Sequence, residues 1–296
     1  MGFEARHAIL EVLDEAIADK KAKVRVIAYD LSESDVVTQL EKLGKRLKII
    51  IDDEGEHGKP HSGEAQAEAR LVASAGRNNV KRQHMGNLQH NKLIVVDGPK
   101  VQGALGGSTN FSWRGFFVQS NNALILRGNA VVQAFMAAFQ DYWDNDDAPG
   151  FGARPSAKLT ILTLNGIDAQ LRFSPYAKAN SLLKKIADDI AGNTTSSLFY
   201  SLAFLFQTKG MIRDAIKKVT EDKNIFVYGI SDKPVGGLDL QKPDGNRAPV
   251  SAANLGKNAP EPFKSEPTGG GGIRMHHKFV VIDFDKPTAR VYLGSY

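Results

Sequence analysis

Histidine and lysine two residues apart occur twice in this chain, as His90-Asn91-Lys92 and as His276-His277-Lys278. Each pair opens a four-residue apolar run closed by aspartate: Leu93-Ile94-Val95-Val96-Asp97 in the first copy, Phe279-Val280-Val281-Ile282-Asp283 in the second. After a polar turn each is trailed by Gly-Ser, within Gly107-Ser108-Thr109-Asn110 and Gly294-Ser295-Tyr296. One His-x-Lys ahead of an apolar run is ordinarily a solvated strand start; the repeat with identical spacing reverses that reading. Residues two apart on a strand share a face, so each His points with its Lys. An imidazole, with a reference pKa of about 6.5, can serve as nucleophile or acid. The ammonium supplies a point charge for phosphate oxygens. Two such pairs hold what phosphodiester cleavage needs: a nucleophile, a proton for the leaving alkoxide, and positive charge on the phosphate.

At these residues the chain resembles the phospholipase D superfamily, whose pattern His-x-Lys-x4-Asp followed by Gly-Ser-x-Asn is present twice. The resemblance spans both halves. It implies two tandem similar α/β halves with mixed sheets flanked by helices, the active site at their interface, and a monomer with pseudo-two-fold halves. The implied activity is that of a metal-independent phosphodiesterase, hydrolysing or transferring a phosphodiester of a phospholipid or nucleic acid without a cofactor. It also implies His90 as the nucleophile that becomes phosphohistidine, His276 as the general acid, and Lys92 and Lys278 on the phosphate. Ser108, Asn110 and Ser295 take substrate-binding places. Two positions depart from the pattern. The second Asn is absent, because the chain stops at Tyr296. Relatives carry the carboxylate that orients the first His in a Ser-Glu-Asn-like context, which here reads Ser120-Asn121-Asn122. Asn121 is therefore expected to hold the ring's tautomer while stabilising an imidazolium less. The context Asn110-Phe111-Ser112-Trp113-Arg114-Gly115-Phe116-Phe117 is similar to that of bacterial relatives. The alternative is a non-catalytic nucleic-acid- or membrane-binding module that retains the fold; both intact His-Lys pairs count against it.

Other polar clusters carry less. Asp97 lies seven residues beyond His90, roughly 23 Å along an extended strand and on the opposite face. Asp97 and Asp283 are therefore structural, tying strand ends to neighbouring turns. His84 with His90, or Asp52, Asp53, Glu54 and Glu56 with His57, match no metal-ligand spacing, and no metal is expected. His277 alternates away from the catalytic face, a residue flanking the strand or supporting the site from behind. Gly269 to Gly272 lacks the Gly-Lys-Ser/Thr of a P-loop and reads as a hinge. Phe135, Met136, Phe139 and Trp143 are helical core, and Phe116 and Phe117 pack rather than line a groove.

The elements that must position these residues alternate. Helix patterns run from Ala8 to Ile17, from Ser34 to Leu43 with Ser32 or Ser34 as cap, from Ala65 to Ala75 and from Ala130 to Trp143. Strand patterns fall at Val24–Tyr29, Leu47–Ile51, Lys92–Val96 and Asn122–Leu126. Such alternation predicts a layered α/β unit. The loop chemistry of Asp144 to Pro155 sets the boundary between a half over 1–150 and a half over 156–296. The second half repeats the order: helix Asn180–Ala191, strand Leu198–Phe204, helix Gly210–Val219, strand Asn224–Tyr228. A Pro- and Gly-rich loop, 231–272, precedes its signature. Both ends read as cut: the strand-like stretch from Leu159 to Phe173 has no counterpart in the first half, and the strand and helix after the first signature have none in the second.

With 42% hydrophobic residues the chain can bury a sizeable core. A formal charge of +5 and a pI near 9.2 lean towards an anionic partner. The absence of cysteine excludes disulfides and thiolate metal sites. No apolar run reaches the roughly 20 residues of a membrane span, and no signal peptide is seen, so the default location is cytoplasmic.

Overall fold

The computed structural model describes residues 3–178, 180–205, 210–232, 235, 238–241, 246–249 and 275–294. Its contacts divide the chain into two compact units, Met1–Phe117 with Asn122–Ala179, and Val118–Asn121 with Asn180–Tyr296. The short segment 118–121 thus leaves one unit to join the other. Mixed sheets flanked by helices build both.

The first unit runs α1 (Phe3–Ala18), β1 (Lys23–Ala28), α2 (Ser34–Lys42), β2 (Leu47–Ile51), α3 (Gly63–Ala75), β3 (Val80–Arg82), β4 (Lys92–Asp97), β5 (Gln102–Gly107), α4 (Trp113–Phe117), β6 (Ala123–Arg127), α5 (Asn129–Asp144) and α6 (Ala148–Gly152). A hairpin of β7 (Thr160–Leu164) and β8 (Ile167–Leu171) closes it. The six strands of its main sheet lie in the order β3-β2-β1-β4-β5-β6, parallel from β3 to β1 and antiparallel from β1 to β6. Alternate residues of β1, β2 and β4 feed two cores. Val24, Val26, Ile49, Ile94 and Val96 meet α1 to α3. Ile27, Ile50, Leu93 and Val95 meet Val131, Phe135, Ala138 and Phe139 of α5. Covered on both faces, β1, β2 and β4 need apolar residues at nearly every position. Burial of Phe135 or Phe139 contributes roughly 1.5–3 kcal/mol each.

Helix α2 departs from the expected cap. The Glu33 carboxylate accepts from Val36 N at 2.8 Å, an anion suited to the positive end of the helix dipole. The 144–155 stretch carries α6, and the β7–β8 hairpin packs through Leu162, with Phe173 just beyond it, on the α5 side of the first unit. By sequence pattern that hairpin counts with the second half; by packing it belongs with the first.

The second unit contains α7 (Ser181–Asn193), β9 (Ser197–Leu202), α8 (Met211–Thr220), β10 (Phe226–Ser231), β11 (Asp239–Gln241), β12 (Arg247–Pro249), β13 (Lys278–Ile282) and β14 (Arg290–Leu293). Its sheet order, β12-β11-β10-β9-β13-β14, repeats the central motif. A parallel pair, β10 and β9, is followed by an antiparallel signature strand and its hairpin partner. Leu198, Tyr200, Leu202, Val227, Val280 and Ile282 pack under α7 and α8. Among the described residues no helix covers the other face, where Tyr228 and Val291 are more than half exposed. The apolar run of β13 therefore alternates buried with half-buried, while that of β4 is buried throughout. No helix among the described residues is long and apolar enough to cross a membrane.

Candidate active site

His90 sits immediately before β4, and the chain on either side of it is pinned. Gln89 N donates to Asp52 Oδ1 at 2.6 Å, and Tyr29 N donates to Asn91 O at 3.1 Å. The Tyr29 ring meets the His90 ring edge-on at 4.6 Å. Lys92, only 3% exposed, donates from Nζ to His90 O at 2.6 Å and lies 4.5 Å from the centre of the Tyr29 ring. In the second copy Lys278 donates to His276 O at 2.9 Å and lies 5.3 Å from the Phe204 ring. Each lysine thus folds back onto the carbonyl of its own histidine, the same local geometry built twice.

Strand register makes the correspondence definite. Lys92 faces Ala28 and Lys278 faces Leu202, and Ala28 and Leu202 in turn face Ile51 and Ser231. One residue on, Asp52 therefore matches Asp232; two residues beyond Ala28 and Leu202, Asp30 matches Phe204. Phe204 adopts φ 66°, a left-handed conformation that costs a bulky residue roughly 1–2 kcal/mol. Its N–H is held by Asp232 Oδ1 at 2.8 Å. Burial pushes Lys278 down to about 7, with Asp232 opposing the shift.

The environment of the first copy is far more charged. His57 places Nδ1 2.8 Å from Asp52 Oδ2 and Nε2 3.0 Å from Asp30 Oδ1, with Glu64 Oε1 at 4.0 Å. Burial alone would lower its pKa, but the bonds to Asp30 and Asp52 prevail and raise it to about 10, so the ring is a cation. Asp30, also near Lys92 and accepting from Ser112 Oγ at 3.0 Å, is held below the usual carboxylate range because these partners outweigh its burial. The His57 ring meets Tyr29 edge-on at 4.5 Å, so Tyr29 touches His57, His90 and Lys92 together. Asp30, His57 and Glu64 each offer one ligand atom within 4.8 Å of the others. A metal there would compete with the His57 proton. The sequence reading placed His57 with Asp52 to Glu56 and missed Asp30 and Glu64. The usable signal was position, since Tyr29-Asp30 and Asp52 end adjacent parallel strands, where α/β sheets present their functional groups.

Asn121, expected at the first histidine, has its Oδ1 2.7 Å from His276 Nδ1. The reason is the path of 118–121, which runs beside the start of β13: Ser120 bridges Met275, and His276 N donates to Ser120 O at 2.9 Å. Ser108 also differs from its expected place on substrate. It is fully buried, its Oγ donating to Asn122 Oδ1 at 2.8 Å and accepting from Asn122 N at 3.0 Å. Gly107 permits this approach, since a Cβ there would lie 2.4 Å from Asn122 O. Asn110 is buried at the entry to α4, where a Cβ on Gly115 would meet its carbonyl at 2.1 Å. Ser295 lies outside the described residues, as do Gly269 to Gly272 and most of 231–272.

The two aspartates behave differently. Asp283 is buried and accepts from Thr195 N, Ser196 N and Ser197 N and from the hydroxyls of Thr195 and Ser196. Those bonds outweigh its burial and hold its carboxyl far below the usual range. It ties the end of β13 to the turn that enters β9. In the first copy the turn after β4 is held by Asp19, which accepts from Lys100 N at 2.8 Å, while Asp97 neighbours Arg25 electrostatically. Phe116 and Phe139 are core, and Phe117 and Trp143 pack against it.

The family described as "Cardiolipin synthase, PLD-like domain" matches residues 13–143. A relative, the mitochondrial cardiolipin hydrolase of Chlamydomonas reinhardtii, is 28% identical over 111 residues, which are 38% of this chain and 45% of that protein. The chain thus matches less than half the length of that curated relative. Among solved structures, the polyphosphate kinase of Porphyromonas gingivalis matches 96% of this chain and 42% of its own, with 14% identity and a TM-score of 0.55. The phosphatidylserine synthase of Haemophilus influenzae Rd KW20 matches 93% and 74%, with 12% identity and a TM-score of 0.54. At such identities these structures speak for the fold alone. The family match over residues 13–143, together with the duplicated motif, makes the chain similar to the phospholipase D superfamily.

Proposed function

We propose that this protein is a phosphodiesterase of the phospholipase D type, acting through a phosphohistidine on a phosphodiester of a phospholipid or nucleic acid. The observation that carries the reading is the duplicated His–Lys geometry, with Nζ on the preceding histidine carbonyl at 2.6 and 2.9 Å. In this reading an imidazole nitrogen of His90 attacks phosphorus as the ester P–O bond breaks. His276 gives its Nε2 proton to the departing alkoxide, its Nδ1–H remaining on Asn121. Water, or an alcohol, then loses a proton to His276 and displaces His90, leaving a monoester or a new diester. Lys92 and Lys278 offset the charge on the phosphate oxygens, an electrostatic contribution that is commonly the largest in such reactions. No step requires a metal.

Release of p-nitrophenolate from bis(p-nitrophenyl) phosphate is the direct assay, followed by parallel assays on anionic phospholipid vesicles and single-stranded DNA. Turnover is expected to survive excess EDTA and to vanish in His90→Ala. Binding of either the vesicles or the DNA without turnover, unchanged by His90→Ala, favours the non-catalytic module instead.

A further inference from the structure

His277, the middle residue of the second motif, has both ring nitrogens engaged. Nε2 lies 3.1 Å from Asn121 O, and Nδ1 lies 3.2 Å from Oγ of Ser201, a buried residue of β9. A carbonyl oxygen only accepts, so Nε2 carries the hydrogen. Burial, together with the neighbouring Lys278, holds the ring towards its neutral form, outweighing the bond to Asn121 O. A neutral ring with Nε2–H has a bare Nδ1, which accepts from the Ser201 hydroxyl. The Asn121 side chain is fixed in turn: Nδ2 donates to Gln119 Oε1 at 3.3 Å, and Oδ1 faces His276 Nδ1. Hydrogen bonds thus run unbroken from Ser201 through His277 and Asn121 to His276.

Among the described residues, two bonds to its backbone carbonyls fasten segment 118–121 to the start of β13, Ser120 O to His276 N and Asn121 O to the His277 ring. Asn122 N beyond it donates to Ser108 Oγ at 3.0 Å, so what the His277 ring adds is a hold on the Asn121 carbonyl itself; without it that peptide can tilt and draw the amide away from His276. We infer that His277 is a positioning residue, clamping the Asn121 backbone so that its amide fixes the tautomer and direction of His276. The effect on turnover rests on the phosphodiesterase reading; the effect on the His276 ring does not. Glutamine can place a donor amide near Nε2 of the histidine it replaces, whereas leucine fills the space without one.

The test uses the full chain, with His277→Leu, His277→Gln, Asn121→Ala and the double variant His277→Leu/Asn121→Ala, each checked for folding by its melting curve. His277→Leu is expected to lower kcat on bis(p-nitrophenyl) phosphate about 10- to 100-fold, the range for a misplaced catalytic group, with KM within about twofold. His277→Gln should recover to within about threefold of wild type, and His277→Leu should add nothing in the Asn121→Ala background. Wild-type kcat in His277→Leu, no rescue by Gln, or an undiminished loss in the double variant overturns the inference. NMR of 15N-histidine-labelled protein reads the ring without turnover. His276 should be an Nδ1–H tautomer in wild type and His277→Gln, and an average of tautomers in His277→Leu. An unchanged His276 ring in His277→Leu overturns the inference. A wild-type protein that turns over no phosphodiester removes the functional reading and leaves this spectrum to decide.

Discussion

Replacing Asn121 by Asp changes one atom and puts a full negative charge 2.7 Å from His276 Nδ1. The shape is nearly conserved, so the change is electrostatic. Between charge centres about 4 Å apart, an effective dielectric of 20 gives about 4 kcal/mol. The cost of burying the new carboxylate reduces this, and an adjacent anion usually raises an imidazole by about 1–3 pH units, or about 1.4–4 kcal/mol. The limb of the pH–rate profile that moves identifies the role of His276. A general acid must be protonated, so a raised pKa carries the alkaline limb of kcat upward and broadens the profile. A nucleophile must be neutral, so the same shift moves the acidic limb upward and narrows it. The proposed assignment expects the alkaline limb to move by one to three units while the acidic limb, belonging to His90, stays in place. The assay is kcat against pH on bis(p-nitrophenyl) phosphate for wild type and Asn121→Asp. Movement of the acidic limb inverts the two histidines. A folded variant in which neither limb moves refutes the view that Asn121 acts on the chemistry.

In His276→Ala, a leaving group as good as p-nitrophenolate needs no acid, so phosphoryl adduct should accumulate on His90; mass spectrometry of the quenched reaction locates it, and an adduct on His276 in the reverse variant contradicts the assignment. Lys278, pushed down to about 7 by burial, is protonated below that value and must gain a proton to meet phosphate above it. Calorimetric affinity for a non-hydrolysable phosphodiester should therefore fall towards tenfold per unit above pH 7, and Lys278→Arg should flatten that dependence, since guanidinium stays charged. Asp283→Asn should leave at least one of the donors at Thr195–Ser197 unpaired, costing about 1–3 kcal/mol. The melting temperature should then drop by several degrees while kcat per folded molecule stays within about tenfold; unchanged melting with a larger kcat loss would place Asp283 in the chemistry.

The signature was legible because its residues are contiguous: His90, Lys92 and the run to Asp97 can be read from spacing alone, and so can helix α5 from its period. Strand β5 was not, since Gln102-Gly103-Ala104-Leu105-Gly106-Gly107 offers little β-branched or aromatic surface; it is a strand because β4 and β6 pair with it on both sides. The apolar runs of β4 and β13 look alike, yet one lies between two cores and the other, among the described residues, under a single helical layer, a difference written in distant helices. The His57 cluster joins residues from four separate segments. The bond between Asn121 and His276 was not legible because local sequence does not say which sheet a segment will join. Resemblance supplied the residue; only the chain path supplied its partner.

That path also has a timetable. Asn121 and His276 are 155 residues apart in the chain, and a ribosome adding roughly 5–20 residues per second needs about 8–31 s to cover the interval. During synthesis Asn121 emerges long before its partner, while the first unit's sheet can already pair. The contact closes a loop of high sequence separation, the kind formed late in folding. Supplied as two separate polypeptides cut at 150, the halves would each lack something: the second would hold His276 without its amide, and the first would carry residues 118–121 apart from the β13 start they join. Competence of the second copy is therefore encoded partly in the first, and it appears only after His276 has been made.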